Sequence, residues 1–221
     1  MTSDTLTEIY DVLFKAFGPQ HWWPGETPFE VVVGAILTQN TSWINVEKAI
    51  ANLKSASSLT PERLHRIDTS GLAELIRPAG YYNIKARRLK SFIEWLFDQY
   101  DGQLANLESV STDRLRSELL EVKGIGRETA DSILLYALRR SVFVVDTYTA
   151  RIMTRHNLIE PDADYEQLRD LFESNLPEDV QLFNEYHALL VRTGKDFCKP
   201  KARCPGCPLE KHPHTLDVEQ F

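Results

Sequence analysis

The stretch from Leu119 to Asp146, LLEVKGIGRETADSILLYALRRSVFVVD, constrains this chain more than any other. A helical run stops at Gly124-Ile125-Gly126 and a second run begins at once. That run ends in Arg139-Arg140, and an apolar segment then delivers one carboxylate, Asp146. Glycine tolerates positive φ and lets another backbone approach closely. The first N–H groups of the following helix lack intrahelical partners and carry the positive end of its dipole, which suits an anion. Ile125 is placed to pin the turn into a core. A plain helix–helix turn would use glycine in the same way, so the two glycines alone decide little. The whole pattern, a phosphate-holding hairpin followed by one acid, points to chemistry on DNA.

Elsewhere the apolar residues keep helical spacing, as in Leu6, Ile9, Tyr10, Leu13, Phe14 and Phe17. FEVVVGAIL, from Phe29 to Leu37, is rich in Val and has the look of a buried strand. It runs on into Trp43, Val46, Ala49, Ile50 and Leu53 at a period near that of a helix, so two consecutive helices are expected, the first fully buried. Gly34 would let a neighbouring helix come close. Further helices are expected over 61–67, 72–76, 82–100, 112–120, 129–139, 147–156, 165–176 and 180–193. Thr60-Pro61-Glu62, Ser111-Thr112-Asp113 and Asp164-Tyr165-Glu166 read as helix starts. The tail from Lys199 should be irregular. The expectation is an all-α protein of about ten helices joined by short loops.

The 221 residues suffice for one large domain or two small ones. Net charge is −7, which argues against nucleic-acid binding through bulk charge, but the distribution is uneven. Arg77, Lys85, Arg87, Arg88 and Lys90 form one basic stretch, and Arg192, Lys195, Lys199, Lys201 and Arg203 another, while residues 160–179 are acidic. Solvated helix faces would give the same pattern; the alternative is a basic face that contacts phosphates. The N-terminus lacks the basic and apolar regions of a signal peptide, and no apolar run reaches the ~18 residues that span a bilayer. No membrane is expected as a partner, and the expected location is the cytoplasm, on the nucleoid.

VKGIGRETADSILLYA resembles the helix-hairpin-helix of the endonuclease III superfamily of DNA glycosylases, and SVFVVD resembles that family's Gly/Pro-rich loop and catalytic aspartate. GAILTQNTS resembles its early helix and DNA-wedge loop, and PAGYYNIKARRL its next helix–loop–helix. The resemblance spans most of the chain. It implies a two-domain all-α fold: a six-helix barrel over 28–138 with the hairpin, and a second domain from 1–27 plus 139–221. It also implies double-stranded damaged DNA as the partner of a monomer. Lys123, Gly124, Gly126, Arg127 and Thr129 would bind DNA at the hairpin. Gln39 and Asn40 would fill the gap left by a flipped base, although Asn40 equally suits a helix cap.

In bifunctional members a hairpin-helix lysine attacks the sugar and cuts the strand. The matching position, eighteen residues before the aspartate, is Glu128. A carboxylate forms no Schiff base. Lys123 lies before the glycines. A monofunctional glycosylase is therefore expected, with water as the nucleophile and Asp146 as the catalytic residue. Asp146 would also cap the helix beginning at Thr147. HWWPGETPFEVVVGAILTQNTSW is similar to the type III 3-methyladenine DNA glycosylases, in which the matching aromatics line the base pocket. That resemblance assigns Trp22, Trp23, Pro24, Trp43 and Tyr82 to the pocket, where core packing would be the ordinary role of such tryptophans. Alkylated purines carry positive charge and favour electron-rich rings. Two alternatives stand beside this reading: an endonuclease III-like glycosylase and abasic-site lyase for oxidised pyrimidines, and a non-catalytic DNA-binding protein.

Cys198, Cys204 and Cys207 follow a C-x5-C-x2-C pattern. The related endonuclease motif is C-x6-C-x2-C-x5-C, and here the fourth position is Pro213, between His212 and His214. Three arrangements fit: a [4Fe–4S] cluster with a non-cysteine fourth ligand such as His212 or His214, a Zn²⁺ held by three Cys and one His, or no metal. The cluster is favoured, because KPKAR between the first two cysteines matches the DNA-contacting loop of cluster-bearing relatives.

Overall fold

The protein, here a computed structural model, is described over residues 2–216. Residues 217–221, the end of the expected second domain, lie outside that range. The described residues are helical, with no strand among them. The helices are α1 (Thr2–Phe17), α2 (Pro28–Thr38), α3 (Trp43–Ser55), α4 (Pro61–Arg66), α5 (Thr69–Leu75), α6 (Tyr82–Tyr100), α7 (Thr112–Glu121), α8 (Arg127–Ser132), α9 (Thr147–Arg155), α10 (Tyr165–Glu173) and α11 (Val180–Asp196). Two compact units are formed, one by Trp23–Arg140 and one by the two chain ends, up to Trp22 and from Ser141.

In the central unit, α2 is buried from Phe29 to Leu37. Its valines favour strands, yet each loses less than ~0.7 kcal/mol in a helix relative to Ala. Full burial of such a side chain returns ~1.5–3 kcal/mol, so packing decides. Thr27 caps the start by accepting from Glu30 N–H at 3.1 Å, and Pro28 opens the first turn. The one acid inside this apolar helix, Glu30, is matched by Lys54 at 3.0 Å. Gly34 does permit a close approach, but by the Trp23 indole rather than a helix: a Cβ there would lie 3.1 Å from Trp23 Nε1.

The helix expected over 129–139 differs. It begins at Arg127, passes into a π-helical turn at Ile133–Ala137, and ends before Arg139, whose φ is +52°. The π turn is fully buried and packs on α2. Helices α7 and α8 are tied by Arg116 and Asp131, at 2.7 and 3.1 Å, with the Asp131 side chain fully buried.

Within the basic stretch over 77–90, Arg77 and Arg87 are exposed, whereas Lys85 and Lys90 turn to internal carbonyls. Lys85 is 1% exposed and donates to the carbonyls of Leu37 and Ala79, both at 2.8 Å. Lys90 donates to the carbonyls of Leu64, His65 and Ile67, and Arg77 pairs with Glu74 at 2.8 Å. The two lysines satisfy carbonyls at the ends of α2, α4 and the Arg77–Ala79 turn, where backbone acceptors lack helical partners.

In the chain-end unit, α11 packs on α9 and α1. Phe143 stacks on Phe172 at 3.7 Å, and Tyr186 donates to the Leu6 carbonyl at 2.8 Å. Gly194, in the last turn of α11, leaves room for Tyr148; a Cβ there would clash with the Tyr148 ring.

Candidate active site

Val122 ends α7, and the chain turns through Lys123, Gly124, Ile125 and Gly126 into α8. Gly124 has φ +93°, a conformation that disfavours side chains. Ile125 is 4% exposed and anchors the turn. Gly126 is extended, and a Cβ there would meet nothing within 4 Å. Its exposed backbone therefore faces open space beside the first turn of α8. Lys123 and Arg127 are exposed, whereas Thr129 is buried.

The loop after α2 is joined to this hairpin. Gln39 donates through Nε2 to the Gly124 carbonyl at 3.2 Å and to Thr129 Oγ1 at 2.8 Å. Its Oε1 accepts from Arg88 Nη1. Asn40, next along, is exposed with φ +53°.

Asp146 follows the buried, extended segment Val142–Val145 and caps α9. Its Oδ1 accepts from Thr149 N–H at 2.8 Å and from the Thr149 hydroxyl at 3.0 Å. Oδ2 lies 3.6 Å from Nε2 of His187, a buried residue of α11. That distance is longer than an ordinary hydrogen bond. Burial raises the Asp146 pKa, but His187 and Thr149 outweigh it and hold the carboxyl below its ordinary value. Asp146 is thus an ionised carboxylate with one oxygen fixed. Such a group can stabilise developing positive charge or orient a water. The role of His187 was invisible in the sequence, where the one signal is a polar residue within the apolar run of α11.

Of the aromatic residues expected at a base pocket, Trp23 and Trp43 meet in the central unit. Their ring centroids lie 5.2 Å apart at 88°. Tyr136, from the π turn, joins them 5.2 Å from Trp23 and was not among the expected pocket residues. Pro24 is exposed nearby in sequence. Tyr82 instead faces the Arg77 guanidinium at 5.0 Å. Trp22 belongs to the chain-end unit, with the Lys195 ammonium 5.9 Å from its ring.

Cys198, Cys204 and Cys207 line one cavity with Arg155, His156 and His214. Arg155 is 5% exposed and donates to Cys198 Sγ at 3.3 Å and to the carbonyls of Lys199 and Pro200 at 2.7 Å. Arg151 holds the Cys198 carbonyl at 2.7 Å. Burial, then the neighbouring thiols, push the Cys207 pKa up. Three soft sulfur donors are of the type that holds an iron–sulfur cluster, one thiolate short of the usual four. Among the described residues, no three of His, Cys, Asp and Glu are grouped closely enough to hold a single metal ion. The His214 ring nitrogen Nδ1 contacts the His212 carbonyl at 2.8 Å. No helix among the described residues is long and apolar enough to cross a membrane.

Residues 33–178 match the family described as HhH-GPD superfamily base excision DNA repair protein. A Methanocaldococcus jannaschii protein, named as a candidate DNA repair glycosylase, is 49% identical over 94% of this chain and 95% of its own length. Endonuclease III of Thermotoga maritima is 32% identical over 94% of this chain and 91% of its own. Among solved structures, the Helicobacter pylori 3-methyladenine DNA glycosylase bound to 1,N6-ethenoadenine is 32% identical, with a TM-score of 0.75 over 88% of this chain and 97% of that one. An endonuclease III–DNA complex shares the fold at a TM-score of 0.81 and 24% identity, over 96% of this chain and 95% of that one. This all-helical chain belongs to the HhH-GPD superfamily of base excision repair DNA glycosylases.

Proposed function

We propose that this protein is a monofunctional DNA glycosylase that hydrolyses the N-glycosidic bond of alkylated bases in duplex DNA, and that it acts as a monomer. Glu128 carries the reading. It stands exposed in the first turn of α8, where the resemblance would place a lyase lysine. A carboxylate offers no amine to the sugar, so strand cleavage through a Schiff base has no nucleophile there. The 32% identity to the H. pylori 3-methyladenine enzyme supports the choice of substrate.

Each group has a task on this reading. The amides of Gly124 and Gly126, with Lys123, Arg127 and Thr129, take a backbone phosphate. The target base leaves the stack. Trp23, Trp43 and Tyr136 supply electron-rich faces for a cationic purine. Gln39 and Asn40 fill the gap. Asp146 stabilises the positive charge that builds on the deoxyribose as the base departs, and orients the water that replaces it. An alkylated base is a good leaving group, so no strong general acid is needed.

Cys198, Cys204 and Cys207 would hold a [4Fe–4S] cluster, with His212 or His214 as the fourth ligand and Arg155 offsetting thiolate charge. When bound, the cluster would cross-link the C-terminal loop. Iron content and visible absorbance after anaerobic purification test this directly.

The 32% identity to T. maritima endonuclease III favours a second reading, a glycosylase and lyase for oxidised pyrimidines. A panel of damaged duplexes separates the two. Base release from alkylated purines without strand scission, and without a borohydride-trapped adduct, is the expected result. A trapped covalent adduct with abasic DNA sinks the monofunctional reading.

A further inference from the structure

Both N–H groups of the Gln39 amide are used inside the protein, on the Gly124 carbonyl and the Thr129 hydroxyl. Its oxygen accepts from the Arg88 guanidinium, a charge-assisted and therefore stronger bond. Three segments converge on this one head group: the loop after α2, the middle of α6, and the hairpin with α8. Arg88 is also shaped to the hairpin, since a Cβ on Gly124 would lie 2.3 Å from Arg88 Cγ. A glutamine held in this way has no N–H left to offer an orphaned base. Asn40 beside it is exposed.

We infer that Arg88 is a positioning residue that stows Gln39 against the hairpin until a gap in the duplex draws the glutamine out. The inference rests on the proposed role of Gln39 in filling that gap. Stowing has a thermodynamic consequence. The inserted conformer is a minor state of the free protein, so apparent affinity for gapped DNA is lowered by the fraction stowed. It also has a physical rationale: undamaged duplex, which offers no gap, leaves the three bonds intact. Only a site that repays them releases the side chain.

The test uses the full chain and two duplexes of one sequence, intact or carrying a tetrahydrofuran abasic site. Dissociation constants are measured by fluorescence anisotropy, and their ratio is the readout. A phosphate contact made by Arg88 weakens both duplexes alike and cancels in the ratio. Arg88→Met removes the donors while keeping the aliphatic stem. It should raise preference for the abasic duplex about fivefold, and Thr129→Val, which removes one acceptor, should raise it less. Neither change should raise it in a Gln39→Ala background. An unchanged ratio in Arg88→Met overturns the inference, as does an equal rise with Gln39 absent. Gln39→Ala alone should lower the ratio. If it leaves the ratio unaltered, the gap-filling role itself fails, whereas a lowered ratio with no response to Arg88→Met defeats only the stowing.

Discussion

Arg116 grips Asp131 through two parallel hydrogen bonds, 2.7 and 3.1 Å long, across the two helices that flank the hairpin. The carboxylate has no solvent exposure and the guanidinium little. Removing one partner strips these two bonds from a buried charge. Arg116→Ala should therefore cost about 3–5 kcal/mol of stability. Urea denaturation checks this, and a loss under ~1 kcal/mol would mean the pair behaves as an exposed one.

The two hairpin glycines should respond in opposite ways. Gly124 has positive φ and lies against Arg88, so Gly124→Ala strains the backbone by about 1–3 kcal/mol and displaces that side chain. Gly126 has neither constraint. Gly126→Ala should leave the melting temperature near wild type yet weaken DNA binding, because its methyl enters the space proposed for phosphate. Calorimetry and binding measured on the same preparations separate the two effects. Equal damage to stability would refute the contrast.

Lys85 predicts a pH dependence. Burial first, then the Arg88 charge, lower its pKa to about 8. The unfolded chain, with the ordinary value near 10.5, binds that proton more tightly. Between these values the unfolded state holds more protons, so stability rises with pH. Relative to Lys85→Met, the wild type should gain stability from pH 8 toward 10.5 and show a flat difference below 8. Paired denaturation series over that range check the slope. A flat difference across that range would mean the amine is solvated and keeps its ordinary value.

Much of this organisation was legible along the chain because it obeys local rules. The cap before Pro61, the buried Ile125 between two glycines and the apolar run into Asp146 each leave a short-range signature. The roles of Lys85, His187 and Tyr136 are not written locally. Lys85 looks like part of a basic face, and only the placement of the Leu37 and Ala79 carbonyls makes it an internal donor. His187 meets Asp146 only because α9 and α11 pack together. Tyr136 looks like any apolar residue on a helix until a π turn sets it beside Trp23. Long-range packing assigns these roles, and periodicity does not encode it.

Asp146→Asn separates structure from chemistry at the proposed catalytic carboxylate. Asn caps helices as well as Asp does, so the bonds from Thr149 can persist and α9 should stay formed. The negative charge is lost, and with it the stabilisation of a positive sugar. Base release should fall about 10²–10⁴-fold while affinity for duplex DNA is retained. Acid unfolding adds an independent reading. The native carboxyl is held below its ordinary value of 3.8. Its contribution is therefore complete above that pH and is lost as pH falls through the native value. The stability difference between wild type and Asp146→Asn should shrink in that acid range and stay constant above it. Single-turnover base release and pH-dependent denaturation together check the assignment. A variant that keeps wild-type base release removes Asp146 from the chemistry and leaves it only as a cap.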